Sequence, residues 1–282
     1  YWIAGRKGAD ETDSSRINFG GGDVNLTLDN NDSTLFRVDQ KAQFLALEDA
    51  GTSYRFDING EKSRGFYLAD KGTKVETGDM ELNVNGKGAT GLYLANGAGA
   101  DDKVILDKAT TINVTGEDGT IAVIDGNYYD LNGNQIAQGS DKTTLISHAN
   151  LKSGAVGGNI AKNAIGYKVI NGGVLNHDGD IEFSTADNAT GIRAESGTVN
   201  NSEQAGIMVN GVGVDIYGKN SVVNNTGKIT ANDGIAAVRL NKDASMTIGG
   251  NGTILGEKSA DAVRAHSGSN VKLNNANIDV TG

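Results

Sequence analysis

One four-residue pattern recurs along the chain as Gly166-Tyr-Lys-Val169, Gly191-Ile-Arg-Ala194, Gly213-Val-Asp-Ile216, Ala237-Val-Arg-Leu240 and Ala262-Val-Arg-Ala265. Each copy has a small residue, an apolar residue, a polar or charged residue and a second apolar residue. The first apolar residues, from Tyr167 to Val263, lie 25, 22, 24 and 25 residues apart. A period near 25 residues indicates a repeat architecture in which each unit stacks on the next.

Looser copies of the pattern precede these five. Gly65-Phe-Tyr-Leu68 and Gly91-Leu-Tyr-Leu94 lie 26 residues apart, and Ile121-Ala-Val123 follows with Ile121 in the place of Leu92. The stretches between copies, such as Met80–Val84, alternate apolar and polar residues as half-buried strands do. We therefore predict an all-β fold, a right-handed single-stranded parallel β-helix of about 25 residues per coil and about three short strands in each coil.

Composition supports this fold. The 282 residues include 41 glycines but no proline and no cysteine. Many glycines without proline suit a chain with frequent turns and continuous sheet hydrogen bonding, because proline lacks the N–H that a central strand donates. The absence of cysteine excludes a disulfide framework and thiolate metal sites.

The repeat is less regular in two regions. We interpret residues 1–60 as an N-terminal cap or irregular first coils, and residues 61–282 as the coils of the β-helix. An insertion at about 125–162 interrupts the repeat, and its stretch Tyr128-Tyr-Asp-Leu-Asn-Gly-Asn-Gln-Ile136 predicts a hairpin with an Asn-Gly turn that protrudes from the rod. Because the chain begins at Tyr1 without methionine and ends in mid-pattern, we expect a processed or recombinant segment.

The charge balance limits the partners. Lys and Arg number 25 against 35 Asp and Glu, for a net charge of −10. A nucleic acid or an anionic membrane surface binds proteins through an excess of basic residues, so neither is expected as a partner.

The outward position of the repeated pattern carries the candidate binding residues. In register it reads Tyr67, Tyr93, Lys168, Arg193, Asp215, Arg239 and Arg264. Two residues further on lie Glu195, Tyr217 and His266. We predict ligand-binding roles for Lys168, Arg193, Arg239, Arg264, Tyr217, Tyr67 and Tyr93, because guanidinium groups bind oxyanions and aromatic rings stack on sugars. The alternatives are a solvated ladder partly neutralised by Asp215 and Glu195, and simple packing of the tyrosine pair.

A second phrase places asparagines after an aliphatic residue. Asn201 and Asn225 lie 24 residues apart, and Asn275 lies 50 residues, or two coils, beyond Asn225. We predict that these amides form a ladder along a turn, where asparagine also tolerates the left-handed backbone. A ligand contact is the alternative role.

Catalytic signatures are missing. The three histidines, His148, His177 and His266, are scattered and form no metal-ligand motif. No serine lies in a Gly-x-Ser-x-Gly motif, and no phosphate-binding glycine-rich loop is present. We therefore expect a protein that is not an enzyme, with no catalytic residue, metal or cofactor.

The phrases Thr226-Gly-Lys-Ile-Thr230 and Asn251-Gly-Thr-Ile254, with the 25-residue repeat and the lack of proline and cysteine, resemble Gram-negative autotransporter (type V secretion) passenger domains. The AIDA-type adhesins are the most similar branch. The resemblance implies anchoring by a C-terminal outer-membrane β-barrel absent from this chain, and a protein that is secreted or displayed on the surface of a Gram-negative bacterium. It assigns no binding residue.

These observations predict an adhesin. Its partner would be a host cell-surface or matrix component, either glycan or protein, or another copy of itself in aggregation and biofilm formation. The alternatives are a polysaccharide-degrading β-helix enzyme and a secreted factor that engages a host receptor.

Overall fold

A computed structural model describes residues 1–4, 16–17, 22–45, 51–156 and 159–281. These residues form 32 β-strands. On three sides of the coiled chain, strands stack in parallel ladders of ten positions each. We name these sides faces 1, 2 and 3. The predicted parallel β-helix is therefore confirmed.

Face 1 carries the repeated four-residue pattern. Its ten parallel rungs are Trp2–Ala4, Thr34–Asp39, Arg64–Ala69, Thr90–Ala95, Thr120–Asp125, Ile165–Ile170, Ala189–Glu195, the second parts of Gly206–Tyr217 and Lys228–Leu240, and Asp261–Ala265.

Face 2 is a separate ten-stranded sheet. Its strands are Arg16–Ile17, Gln43–Leu45, Lys74–Glu76, Val104–Leu106, Thr144–Ser147, Val174–His177, Thr198–Asn201, Val222–Asn225, Ser245–Ile248 and Asn270–Leu273.

Face 3 completes each coil. Its rungs are Asp23–Leu28, Ser53–Ile58, Met80–Val84, Thr111–Val114, Asn150–Ser153, Asp180–Phe183, the first parts of Gly206–Tyr217 and Lys228–Leu240, Thr253–Glu257 and Asn277–Thr281. The strands Gly206–Tyr217 and Lys228–Leu240 continue around the corner from face 3 to face 1, so these two faces form one 18-stranded sheet.

Register on face 1 follows the sequence pattern with one exception. Tyr167, Ile192, Val214 and Val238 pair in succession, as predicted. Leu92, however, pairs with Ala122 rather than with Ile121. The run from Ile121 to Ile124 is apolar throughout, so no polar residue marks its outward side, and the prediction was wrong there by one residue.

The small residue that opens each pattern lies where successive coils touch. A Cβ atom added to Gly191 would come within 2.6 Å of the Gly213 carbonyl oxygen and 2.8 Å of Ile207 Cγ2. At Gly213 the nearest atoms would be the Ala237 carbonyl oxygen and Ile229 Cγ2, at 2.4 and 2.5 Å. Close packing between coils therefore favours glycine at these positions.

The core is a stack of inward side chains that runs along the coils. At the N-terminal end it is aromatic: Phe36 and Phe66 stack with ring centroids 5.0 Å apart, and Phe44 and Phe56 pack against both. Further along, aliphatic residues and the fully buried Tyr167 replace these rings. Side chains stacked in this way stabilise strands that are too short to be stable alone.

The less regular regions also contribute strands. Residues 22–45 and 51–58 provide rungs to all three faces, whereas residues 5–15, 18–21 and 46–50 of the predicted cap lie outside the described residues. Within the 125–162 insertion, Tyr128–Tyr129 pairs antiparallel with Gln135–Ile136, as a hairpin requires. A second antiparallel pair joins Ala155–Val156 to Asn159–Ile160, and residues 157–158 between them lie outside the described part.

Across the described ranges, no helix is long and apolar enough to cross a membrane.

Candidate binding face

The predicted binding residues share one outward column on face 1. Register aligns Arg37, Tyr67, Tyr93, Val123, Lys168, Arg193, Asp215, Arg239 and Arg264, one from each successive coil. Tyr217 lies two residues beyond Asp215, in a parallel column with Glu195. Neighbouring rungs of a sheet are about 4.8 Å apart, so each side chain in the column can contact the next.

The two predicted tyrosines are held by protein neighbours. The rings of Tyr67 and Tyr93 stack with centroids 5.9 Å apart and planes at 13°. The Arg37 guanidinium lies 5.1 Å from the Tyr67 centroid, and the Arg64 guanidinium lies 4.9 Å from that of Tyr93. These cation–π contacts take up ring surface that a sugar would need, so the geometry favours packing within the column.

A buried carboxylate that the sequence analysis missed lies beside this aromatic pair. Asp125 Oδ2 accepts hydrogen bonds from the hydroxyls of Tyr93 and Tyr129, both at 2.7 Å. Its Oδ1 accepts from the Asn171 side chain and the Asn127 backbone, both at 2.9 Å. Burial, together with the bond to Asp125, raises the pKa of Tyr93. Asp125 thereby ties the base of the hairpin to face 1.

Asp215 is a second buried carboxylate, and it holds the arginines of the column. It is fully buried and accepts two hydrogen bonds from Arg239, from Nε at 2.8 Å and from one terminal nitrogen at 2.6 Å. Arg193 lies 3.5 Å away, and Asn241 donates a further bond at 2.8 Å. The hydrogen bond to Asp215 raises the pKa of Arg239. Two guanidiniums around one carboxylate leave a single net positive charge, which matches the partly neutralised ladder considered as an alternative.

The remaining cations of the column are more open. Lys168 is 33% exposed and its Nζ lies 4.0 Å from Glu195 Oε2. Arg264 is 45% exposed and donates to Asp261 at 2.6 Å. Tyr217 lies under the Arg193 guanidinium, 5.7 Å from its ring centroid. Among the predicted site residues, Lys168 and Arg264 are therefore the cations best placed to meet a partner.

The asparagine ladder lies at the end of the strands of face 2. Asn201 Nδ2 donates to Asn225 Oδ1 at 2.6 Å, as predicted. Asn275 is not part of it, because register aligns Asn225 with Ile248 and then with Leu273. Asn275 instead occupies a turn with φ of 55° and donates to the Gly250 carbonyl at 3.3 Å.

A second amide column lies beside the first and was missed. Asn200 donates to Asn176 at 2.8 Å, and Asn224 donates to Asn200 at 2.9 Å. The signal was present in the paired asparagines at 200–201 and 224–225, since successive residues of a strand point to opposite sides. Face 2 therefore carries one outward and one buried polar column.

In the part of the chain that the structure describes, no three histidine or acidic side chains are grouped to hold a metal ion. His148 Nδ1 pairs with Asp178. His177 lies in the buried polar column, between Ser147 and Asn201.

Comparison with known proteins finds little. Neither a protein-family model nor a curated protein matches the chain. Among solved structures it is similar to a crystal structure of a TibC-catalyzed hyper-glycosylated TibA fragment, with 14% sequence identity over 95% of this chain and 97% of that one. The TM-score is 0.17, too low to indicate a shared fold. The geometry alone establishes a β-solenoid whose outward columns are ordered by contacts between coils.

Proposed function

We propose that this chain is the exposed part of a secreted or surface-displayed adhesin, and that it acts by binding rather than by catalysis. The observation that carries the proposal is the continuous column on face 1, which repeats one outward position across the described coils. Nine steps of about 4.8 Å give ten rungs a length of about 43 Å. Such a surface can offer many weak contacts at once, so that its overall avidity exceeds the affinity of any single contact.

Contacts within the column hold its side chains in place. Arg193, Asp215 and Arg239 already hold one another, as do Tyr67 and Tyr93. Side chains fixed before a partner arrives lose less conformational entropy on binding. The partner in this proposal is a host glycan, a matrix protein or a second copy of the chain.

The test replaces the two open cations of the column. In Lys168→Glu/Arg264→Glu, the buried Asp215 cluster is untouched, so the fold should be kept. The matched control is Lys219→Glu/Lys272→Glu, which changes charge equally at two exposed lysines outside the column. We expect the first variant to reduce adhesion to glycan and matrix arrays, or aggregation of cells that display the chain, and the control to behave as the unmodified protein.

Two results would contradict the proposal. Equal adhesion and aggregation by both double variants would remove the column from the binding surface. Release of products from pectin, chondroitin or hyaluronan by the purified protein would instead favour the enzymatic alternative.

A further inference from the structure

Asparagine is followed directly by glycine at seven places in the chain, and asparagine in this setting is chemically labile. The backbone nitrogen of the glycine can attack the side-chain carbonyl carbon of the asparagine, because glycine has no Cβ atom to hinder the approach. The rate depends on how firmly the fold holds the two groups. The seven asparagines are Asn59, Asn85, Asn96, Asn132, Asn171, Asn210 and Asn251.

The fold holds six of these side-chain amides in hydrogen bonds. Their Nδ2 atoms donate at distances from 2.5 to 3.4 Å: Asn59 to Asp29, Asn85 to Asn59, Asn96 to the Tyr129 carbonyl, Asn171 to Asp125, Asn210 to the Ser184 carbonyl and Asn251 to Glu203. Before the amide carbon can rotate toward the glycine nitrogen, such a bond must break. One hydrogen bond that must break first slows a reaction about two- to tenfold.

Asn132, in the turn of the hairpin, differs from the other six. Within the described part of the chain its side-chain amide has no hydrogen-bond partner, and both Asn132 and Gly133 are exposed. The other six glycines are buried or half-buried. A Cβ atom added to Gly133 would meet no atom within 4 Å, whereas at the other six glycines it would meet one at 1.9–3.7 Å. The space needed for ring closure and for attack by water is therefore present at Gly133.

The attacking nitrogen is also held differently in the hairpin and in the coils. The Gly133 N–H donates to the Asp130 carbonyl at 3.0 Å, a bond that closes one exposed turn. The Gly60 N–H donates at the same distance to the Leu28 carbonyl of the preceding coil. Opening a hairpin turn is a local event, whereas opening a corner between coils separates stacked rungs. The nitrogen of Gly133 is therefore released more often.

We propose that Asn132 is a site of spontaneous deamidation, and that the fold confines the reaction to this one of the seven pairs. The Gly133 nitrogen loses its proton and bonds to Cγ of Asn132. The bond from Cγ to the side-chain nitrogen breaks, and that nitrogen leaves as ammonia. Water then opens the five-membered succinimide ring at either carbonyl, giving aspartate or isoaspartate. One negative charge is gained, and nothing is oxidised or reduced.

The modification alters the hairpin turn and leaves the base of the hairpin in place. Asp130 Oδ1 accepts hydrogen bonds from the backbone N–H groups of Asn132 and Asn134, both at 2.9 Å. The side-chain bond from Asn134, with these backbone bonds, lowers the pKa of Asp130, so Asp130 is charged and repels a new carboxylate beside it. Isoaspartate also lengthens the backbone of the turn by one carbon. Tyr129 remains bonded to Asp125 at the base. This inference does not depend on the proposed adhesive role.

The experiment incubates the purified chain at mildly alkaline pH, folded in buffer or unfolded in urea. Peptide mapping by mass spectrometry follows the gain in mass as NH₂ is replaced by OH at each asparagine, and isoaspartate methyltransferase labels the isoaspartate. We expect Asn132 of the folded chain to react about two- to tenfold faster than any of the other six, and all seven to react at similar rates in urea. The proposal is overturned if another of the seven reacts as fast in the folded chain, or if Asn132 keeps the same lead in urea.

A pair of variants tests the role of the turn. Asp130→Ala removes the acceptor of two backbone N–H groups, which should loosen the turn and raise the rate at Asn132 about two- to tenfold. The matched control is Asp107→Ala, which removes a carboxylate that accepts from the Ala109 N–H at 2.9 Å in another turn. This control should leave the rate at Asn132 unchanged. An unchanged rate in Asp130→Ala, or an equal rise in both variants, would contradict the proposal.

Discussion

Lowering the pH from 7 to 4 should weaken the solenoid through one side chain, His177. Burial lowers its pKa in the folded chain to about 4, against 6.5 for an exposed histidine. Below pH 6.5 the unfolded chain therefore takes up a proton that the folded chain excludes. Keeping His177 uncharged costs no stability above pH 6.5, and the cost grows as the pH falls toward 4. A difference of about 2.5 pKa units corresponds to about 3 kcal/mol.

The substitution His177→Asn isolates this contribution. Asparagine fits the buried column, because Asn201 and Asn225 occupy the next two coils in the same register. Carboxylates elsewhere titrate alike in both proteins, so the difference between them reports His177. We expect the unmodified protein to lose about 3 kcal/mol more than the variant between pH 7 and pH 4.

The measurement should be local as well as global. Stacked coils can unfold in parts, so a single denaturation midpoint averages over coils. Amide hydrogen exchange of Val174–His177 and Thr198–Asn201 at several pH values reports the affected rungs directly. His266→Asn, at an exposed position, is the control. The reasoning is refuted if the unmodified protein and His177→Asn lose stability in parallel, or if NMR shows His177 titrating near 6.5.

Two further substitutions test the contacts between coils. Asp215→Asn leaves Arg193 and Arg239 around a neutral amide and should cost about 2 kcal/mol in urea unfolding, less than for a wholly buried pair because both arginines reach solvent. Asp261→Asn, at the exposed pair with Arg264, should stay within about 0.5 kcal/mol, and equal effects would contradict the assignment. Gly191→Ala brings a Cβ against a backbone carbonyl and should destabilise by about 1–3 kcal/mol, whereas Gly249→Ala, with its nearest atom at 4.0 Å, should be tolerated in thermal melts.

The sequence predicts the fold wherever each side of a strand is marked by its residue type. From Gly166 onward, a polar residue lies between two apolar ones in every copy, and the register of face 1 follows the pattern. Around Ile121 that marker is missing, since the outward Val123 is itself apolar and only 7% exposed. The one-residue error at that point has this physical cause.

Prediction of the polar columns is limited by coil length. Asn275 lies 50 residues beyond Asn225, but the two coils in register span 23 and 25 residues (248 − 225 and 273 − 248), so Leu273 takes its place. A fixed period cannot follow coils whose corners differ in length. The sequence does align Asp215 with Arg193 and Arg239, yet it does not reveal that the carboxylate is fully buried between them. That depends on side-chain packing at the distance between rungs.

The distance between rungs also decides which polar side chains find a partner in the neighbouring coil. Where neighbouring coils offer complementary groups, as Asp215 does to Arg239 or Asn176 to Asn200, a polar group of one rung bonds to the next and contributes to stability. At His177 the column passes from a hydroxyl to an imidazole to an amide, and complementarity between adjacent rungs is lost. Buried polar atoms left without a partner in this way lower the stability of the fold. His177→Asn should therefore make the fold more stable at pH 4 relative to pH 7 than it is in the unmodified protein, because the asparagine amide takes up no proton.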